Sequence, residues 1–207
     1  MEETMADCGC GSEQADKLER KTLMALLAIN AFMFVTEIIL GWMAESAGLI
    51  ADSLDMLADA GVYGLSLFAV GKGIQMQSKA ASISGVLQII LGLGVLLEVF
   101  RRLLFGSEPE SLLIMCVGAV ALIANVYCLV LISRHRDSGV HMRASWIFST
   151  NDVIANLGVI ISGGLVWVFG SRYPDLIVGA IISAVVVRGG LKILKEANQA
   201  NRTSVSE

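Results

Sequence analysis

Apolar residues run along this chain in six long stretches that short polar segments separate. Three of the stretches contain no charged residue, namely 80–97, Ser111–Ser133 and 153–171. Each has the 18 or more residues that a helix needs to span about 30 Å of hydrocarbon. The other three stretches, 23–43, 46–70 and 175–194, have spanning length but are interrupted by charged side chains. The pattern predicts six transmembrane helices.

The composition agrees with a protein that lies in a membrane. Of the 207 residues, 55% are apolar and 16% are charged, and the mean hydropathy is +0.71. An ordinary soluble domain has about 25% charged residues. The net charge of −4 provides no basic surface for nucleic acid. We therefore expect an all-α membrane protein whose main partner is the lipid bilayer.

Lys and Arg are distributed unevenly between the two sides of the predicted bundle. One side collects 12 of these residues, and the other collects only Arg101, Arg102 and Arg172. Because Lys and Arg favour cytoplasmic loops, we expect both termini to be cytoplasmic. The chain shows no targeting peptide, which favours a bacterial inner membrane.

Three segments follow from this topology. We expect an N-terminal cytoplasmic tail over 1–20, a six-helix transmembrane domain over 21–195 and a short cytoplasmic tail over 196–207. The first tail contains Cys8 and Cys10, and a Cys-x-Cys pair can capture a soft metal ion. A tail without any metal-binding role is an equally good interpretation of one such pair.

The second predicted helix has a stripe of carboxylates. Asp52, Asp55 and Asp59 are spaced i, i+3, i+7, which confines them to an arc of about 60° on one helix face. An acid inside a membrane helix costs a few kcal/mol, and such groups usually have a partner, a cavity or a function. Asp55 and Asp59 lie about 14 to 20 Å along the helix, which is near the membrane midplane.

A fourth acid is predicted at the same depth on the fifth helix. Asp152 lies about nine residues from the start of that helix. The two segments also echo each other, because 55–62 reads DMLADAGV and 152–159 reads DVIANLGV. Matching segments in two halves of a membrane protein indicate a shared site near the midplane.

Carboxylates that converge in a low-dielectric environment repel each other unless protons or a divalent cation neutralise them. The sequence therefore predicts a metal site formed by Asp55, Asp59 and Asp152, with Asp52 as a possible further ligand. The alternative is a network of protonated aspartates that holds helices together. Glu37, Asn30 and Asn125 could line the same cavity or only join neighbouring helices, and we favour the second interpretation.

At these residues the sequence resembles the cation diffusion facilitator family of divalent metal exporters. The segment 46–59, SAGLIADSLDMLAD, is similar to the family's second helix, whose two ligands fall on Asp55 and Asp59. The segment 145–160 is similar to the fifth helix, whose second ligand falls on Asp152. The segment 173–178, YPDLIV, is also similar to the family's sixth helix. The resemblance implies a cation-efflux transmembrane bundle.

Two departures from the family pattern affect the predicted site. Phe148 stands where the family usually has the other fifth-helix ligand, so Ser149, Asn151, Asn156 or a water would complete the coordination. The chain also ends before the cytoplasmic domain that helps family members to dimerise. We therefore expect a transmembrane-domain-only member, in which any homodimer would form through membrane helices.

The resemblance implies efflux of a divalent transition metal by metal/proton antiport, with no tightly bound cofactor. An all-oxygen site favours manganese, iron or cobalt, whereas the family's commonest substrates are zinc, cadmium and cobalt. We place zinc-like metals first, because geometry and metal supply outweigh raw affinity. One alternative is a non-transporting metal sensor or assembly partner. A metal-dependent membrane phosphotransferase agrees less well with the sequence. Its motif needs an Asp-Gly pair and an Arg near the carboxylates, and the segment 52–59 has neither.

Overall fold

The chain folds into six helices. The computed structural model describes residues 8–69, 74–133 and 140–203, without the side chains of 8–19, 140–149 and some other positions. The described residues are all-helical, which confirms the predicted fold class. The helices are α1 (Cys8–Met43), α2 (Ala47–Ala69), α3 (Ile74–Phe105), α4 (Ser111–Ser133), α5 (Val140–Phe169) and α6 (Tyr173–Thr203).

Most helices extend beyond the apolar stretches that predict them. Only α4 begins and ends with its stretch, whereas α1 begins at Cys8, inside the predicted N-terminal tail, and α6 continues to Thr203. The segments added to α1 and α6 contain Glu, Gln, Lys, Arg and Ala, which are good helix formers. Helix propensity therefore continues these helices where the apolar pattern stops.

Five of the six helices are long and apolar enough to cross a membrane. The remaining one is α2, because its 23 residues include the aspartate stripe. Large apolar side chains are exposed on the outside of the bundle, as a lipid-facing surface requires. Examples are Phe32 at 71% and Trp167 at 73% exposed. The chain is a multi-pass integral membrane protein.

The acidic helix α2 lies at the centre of the bundle. It contacts all five other helices. Around it lie α1, the pair of α4 and α5, and the pair of α3 and α6. Its apolar residues Leu49 and Ile50 enter the main core cluster together with Val95, Ile114 and Ile182. The surrounding helices thereby remove the aspartates of α2 from lipid.

The helices α3 and α6 approach each other closely along their length. A Cβ on Gly190 would lie 2.8 Å from the carbonyl oxygen of Gly85, and one on Gly92 would lie 3.2 Å from that of Ser183. Small residues allow this backbone contact in membrane bundles. This antiparallel pair is therefore fixed by main-chain packing.

Three tight connections lie at one end of the bundle, which we call the short-loop end. They are 44–46, 106–110 and 170–172. Glu45 has a left-handed φ of 48°, and its carboxylate accepts the N–H of Glu108 at 2.9 Å. At this end Glu98 pairs with both Arg101 and Arg102. Two of the three arginines on this side thus share one carboxylate.

The close α3–α6 contact gives a first prediction. Gly190→Ala should lower the free energy of unfolding by about 1–3 kcal/mol relative to Gly94→Ala, which meets no atom within 4 Å. Both substitutions gain the same helix propensity, so their difference isolates the steric cost. Thermal unfolding in detergent measures it, and equal midpoints for the two variants would contradict the packing argument.

Candidate metal centre

The aspartate stripe of α2 faces the interior of the bundle. Asp52 is 1% exposed, Asp59 is 9% exposed, and Asp55 between them is half-buried. Asp55 lies close enough to both of them for their charges to repel. The helical spacing places the three side chains on one face, and the surrounding helices exclude lipid from it. An ionised stripe in this position needs a cation or protons beside it.

Helix α5 brings its polar residues against this stripe. Asp152 is buried, and its carboxyl group lies within hydrogen-bonding reach of that of Asp59. Asn156 is fully buried and donates its amide to the carbonyl oxygen of Asp152 at 2.8 Å and to Asp52 at 3.5 Å. Because α2 and α5 run antiparallel, the later aspartate of α2, Asp59, meets Asp152, while the earlier Asp52 lies near Asn156, one turn further along α5.

A second carboxyl pair extends the acidic region towards α1. Glu37 is completely buried, and its side chain lies within hydrogen-bonding reach of Asp52. Neither carboxylate oxygen of Glu37 has a hydrogen-bond partner, and the same holds for Oδ2 of Asp52. Glu37 therefore contacts the stripe itself, which spacing within α1 did not reveal.

Asn30 makes a contact of the structural kind, whereas the amide nitrogen of Asn125 is buried without a partner among the described residues, so the contact of Asn125 stays a prediction. Asn30 donates its amide to the carbonyl oxygen of Leu26 at 2.9 Å and approaches the sulfur of Cys128 at 4.0 Å. It thereby links α1 to α4. Asn125 is buried on α4.

Asp55 is the charged residue that borders a half-open cavity at the side of the bundle, whose rim includes the exposed Ile154, Ile181 and Val185. The cavity has a volume of about 400 Å³ and lies between α2, α5 and α6. Its other walls are apolar and include Ala155, Gly158, Val178 and Ile182. Asp55 therefore has space beside it that Asp52 and Asp59 do not border.

The carboxylates are thus arranged as two pairs and a single group. Among the described side chains, no three of His, Cys, Asp and Glu are close enough together to hold a metal ion. The structure joins Asp59 to Asp152 but directs Asp55 towards the cavity. Converging all three on one ion requires a small rearrangement of α2 against α5.

Several sequence-predicted ligands lie outside the described side chains. They are Ser149, Asn151, Cys8 and Cys10. The side chain of Phe148 also lies outside the described side chains. Asn156 is described, and its oxygen Oδ1 is buried without a partner. An amide oxygen that is free to accept is a suitable ligand for a divalent cation.

The unpartnered oxygens show what this region can do chemically. Five buried oxygens have no donor: both of Glu37, one each of Asp52 and Asp59, and Oδ1 of Asn156. Buried polar atoms are normally satisfied, so each of these requires an explanation. Cations and protons are the species that carboxylates can bind in such a site. The fold and the site together define a membrane bundle with a buried, oxygen-rich polar region.

Comparison with known proteins agrees with this class. The family model for the cation efflux transmembrane domain matches residues 23–200. The chain therefore belongs to the cation efflux family, in agreement with the resemblance found in the sequence. A multi-pass protein of this family, with bacterial relatives, belongs in the bacterial inner membrane.

Three relatives illustrate the match. A zinc transporter ZitB from Yersinia pseudotuberculosis is 22% identical over 86% of this chain and 61% of its own. The metal cation efflux system protein CzcD from Cupriavidus metallidurans is 22% identical over 86% and 60%. A cadmium, cobalt and zinc/H(+)-K(+) antiporter from Bacillus velezensis is 22% identical over 84% and 60%. The chain spans about 60% of the length of these relatives.

The Glu37–Asp52 pair gives a second prediction. Glu37→Gln should leave the protein at least as stable as the wild type, because the amide donates a hydrogen bond to Asp52 and removes a like charge. Glu37→Leu keeps the bulk but supplies no donor, so it should be about 1–3 kcal/mol less stable than Glu37→Gln. Denaturant unfolding in detergent compares the two variants. A Leu variant as stable as the Gln variant would contradict the proposed contact.

Proposed function

We propose that this chain is the transport unit of a divalent transition-metal exporter that exchanges the metal for protons by alternating access. The observation that carries the proposal is the buried carboxyl region shared by α2 and α5, in which Asp59 meets Asp152. The family match supports transport of a cation. The printed names of the relatives support zinc, cadmium and cobalt as the substrate class.

The metal ligands in this proposal are Asp55, Asp59 and Asp152. A movement that brings Asp55 from the cavity wall to the Asp59–Asp152 pair would give three carboxylates around one ion. Asn156 would supply a fourth oxygen, since its Oδ1 is buried without a partner. Ser149 and Asn151 are the alternative fourth ligands.

Proton coupling follows from the same carboxylates. Metal binding needs their ionised form, so protons and metal compete for one site. Facing the cytoplasm, the ionised site would take up the metal. When the site faces outside, protons would displace the metal, and the protonated site would then return them to the cytoplasm. The exchange therefore needs no separate proton carrier.

The direction of transport depends on the orientation of the bundle. We infer cytoplasmic termini from the excess of Lys and Arg on their side, with the short-loop end outside. A homodimer through membrane helices is part of the same proposal.

The third prediction tests the exchanger directly. In liposomes that contain a pH dye, zinc, cadmium or cobalt should drive proton movement with the wild-type protein. Asp55→Asn, Asp59→Asn and Asp152→Asn should each reduce this flux at least about 10- to 100-fold, because each removes a charged ligand. Glu110→Gln, which changes an exposed carboxylate outside the site, should leave it unchanged.

Two results would contradict the exchanger. Flux that survived all three substitutions together would show that the metal does not use these carboxylates. Metal binding by the wild type without any flux would instead favour a non-transporting sensor. Manganese and iron belong in the same assay, since an oxygen-rich site favours harder ions.

The fourth prediction concerns the ligand that this chain lacks relative to its family. Phe148→His should strengthen binding of zinc relative to manganese by about 10-fold or more, because imidazole is a better ligand for zinc than for manganese. Phe148→Leu controls for the loss of the ring. Isothermal titration with each metal measures the ratio, and an unchanged ratio would show that residue 148 does not face the site.

A further inference from the structure

The start of α2 is fastened to the first turn of α6 by one carboxylate. Asp175 is completely buried and accepts three hydrogen bonds. The donors are the hydroxyl of Ser46 at 2.5 Å, the N–H of Ala47 at 2.6 Å and the N–H of Gly48 at 3.1 Å. A helix N-terminus is normally capped by a residue directly before it. Here the capping carboxylate comes from another helix.

Ser46 completes this cap from the other side. Its hydroxyl donates to Asp175 and accepts the N–H of Leu49 at 3.1 Å. The first free N–H groups of α2 are therefore satisfied jointly by Ser46 and Asp175. Arg102 lies near enough to Asp175 to interact with its charge. We call Ser46 and Asp175 the anchor.

The main chains of α2 and α6 are in direct contact at the anchor. A Cβ on Gly179 would lie 2.8 Å from the carbonyl carbon and oxygen of Ala47. A Cβ on Gly48 would lie 3.0 Å from a carboxylate oxygen of Asp175. The backbones of α2 and α6 thus touch at the short-loop end, where neither helix can slide past the other without a clash.

Deeper in the bundle the same two helices border a cavity. At the level of Asp55, the cavity of about 400 Å³ lies between α2, α5 and α6. Val178 and Ile182 of α6 face Asp55 across this space. The α2–α6 contact is therefore closed at one end and open next to a proposed metal ligand.

We propose that Asp175 is a positioning residue that holds α2 and α6 together as a pivot during transport. Parting the helices at the anchor would leave a carboxylate and three donors without partners in a site that is fully buried, which is costly. Parting them at the cavity breaks only apolar contacts. Movement that brings Asp55 of α2 to Asp152 of α5 therefore takes place about the anchor. This inference rests on the proposed function.

A reversible cross-link tests the pivot. In a background with all four native cysteines replaced by Ala, Ser46→Cys and Asp175→Cys are introduced together. Reduced, this protein lacks the anchor, so its flux in the zinc–proton liposome assay should fall about 10- to 100-fold below the background. Oxidised, the disulfide replaces the anchor and should restore most of the flux. Any result in which oxidation fails to raise the flux overturns the pivot.

A second cross-link at the cavity provides the matched control. Gly158→Cys with Val178→Cys joins α5 to α6, since a Cβ on Gly158 would lie 3.8 Å from the Val178 side chain. Oxidation of this pair should abolish flux, and reduction should restore it. Flux that persists when the cavity is cross-linked would show that the helices do not move there, and would overturn the pivot.

A single substitution covers the case in which the anchor double variant does not fold. Asp175→Asn keeps one acceptor oxygen but presents an amide donor to the N–H groups of α2. Its maximal flux should fall while the half-saturating zinc concentration stays the same, because the ligands are elsewhere. A changed half-saturation at an unchanged maximal rate would overturn the positioning role.

Failure of the proposed function gives a different pattern. It would appear as absence of flux in the wild-type background. The pivot is then tested by the rate at which a maleimide labels Val178→Cys. This rate is compared between the protein with the oxidised anchor disulfide and the protein without it. An unchanged rate supports a pivot at the anchor, and a clear fall upon oxidation overturns it.

Discussion

Burial of carboxylates in a low-dielectric interior is the constraint on which the rest of this structure depends. Glu37, Asp52, Asp59 and Asp152 are each at most 9% exposed. Ionised, they would cost far more than a bundle of this size gains elsewhere, unless cations or protons accompany them. The central position of α2 follows, since contact with all other helices keeps lipid away from its acidic face. The apolar exterior of the bundle follows as well.

Close backbone packing determines where this bundle is rigid and where it is not. Glycines bring α3 and α6 into main-chain contact, and Gly179 does the same for α6 and the start of α2. Beside Asp55 the packing leaves a cavity instead. A carboxylate next to empty space can change its partners at little cost, whereas the carboxylate of Asp175, with three donors, cannot. Two chemically identical side chains thereby acquire opposite roles.

Membership of the cation efflux family supports the proposed metal transport, and the sequence resemblance implies that Phe148 stands where the family usually has a ligand. With a phenylalanine at that position, the site depends on oxygen ligands. An oxygen-rich site discriminates weakly between zinc and harder ions. Selectivity would then arise from how far Asp55 and Asn156 can close around the ion, which makes the geometry of α2 against α5 and α6 decisive.

The sequence by itself determined the helices and the acidic face. Charge-free runs of spanning length predict the membrane helices, and the i, i+3, i+7 spacing predicts the stripe, because rise and rotation per residue are constant within one helix. The matching segments also predicted that Asp152 meets the stripe. Contacts between distant helices were decided only by tertiary packing. The rotation of α1 turns Glu37 towards Asp52, and the approach of α6 brings Asp175 to the start of α2. No periodicity within one helix contains that information, because interhelical rotation and distance depend on how side chains and glycines of both helices fit together.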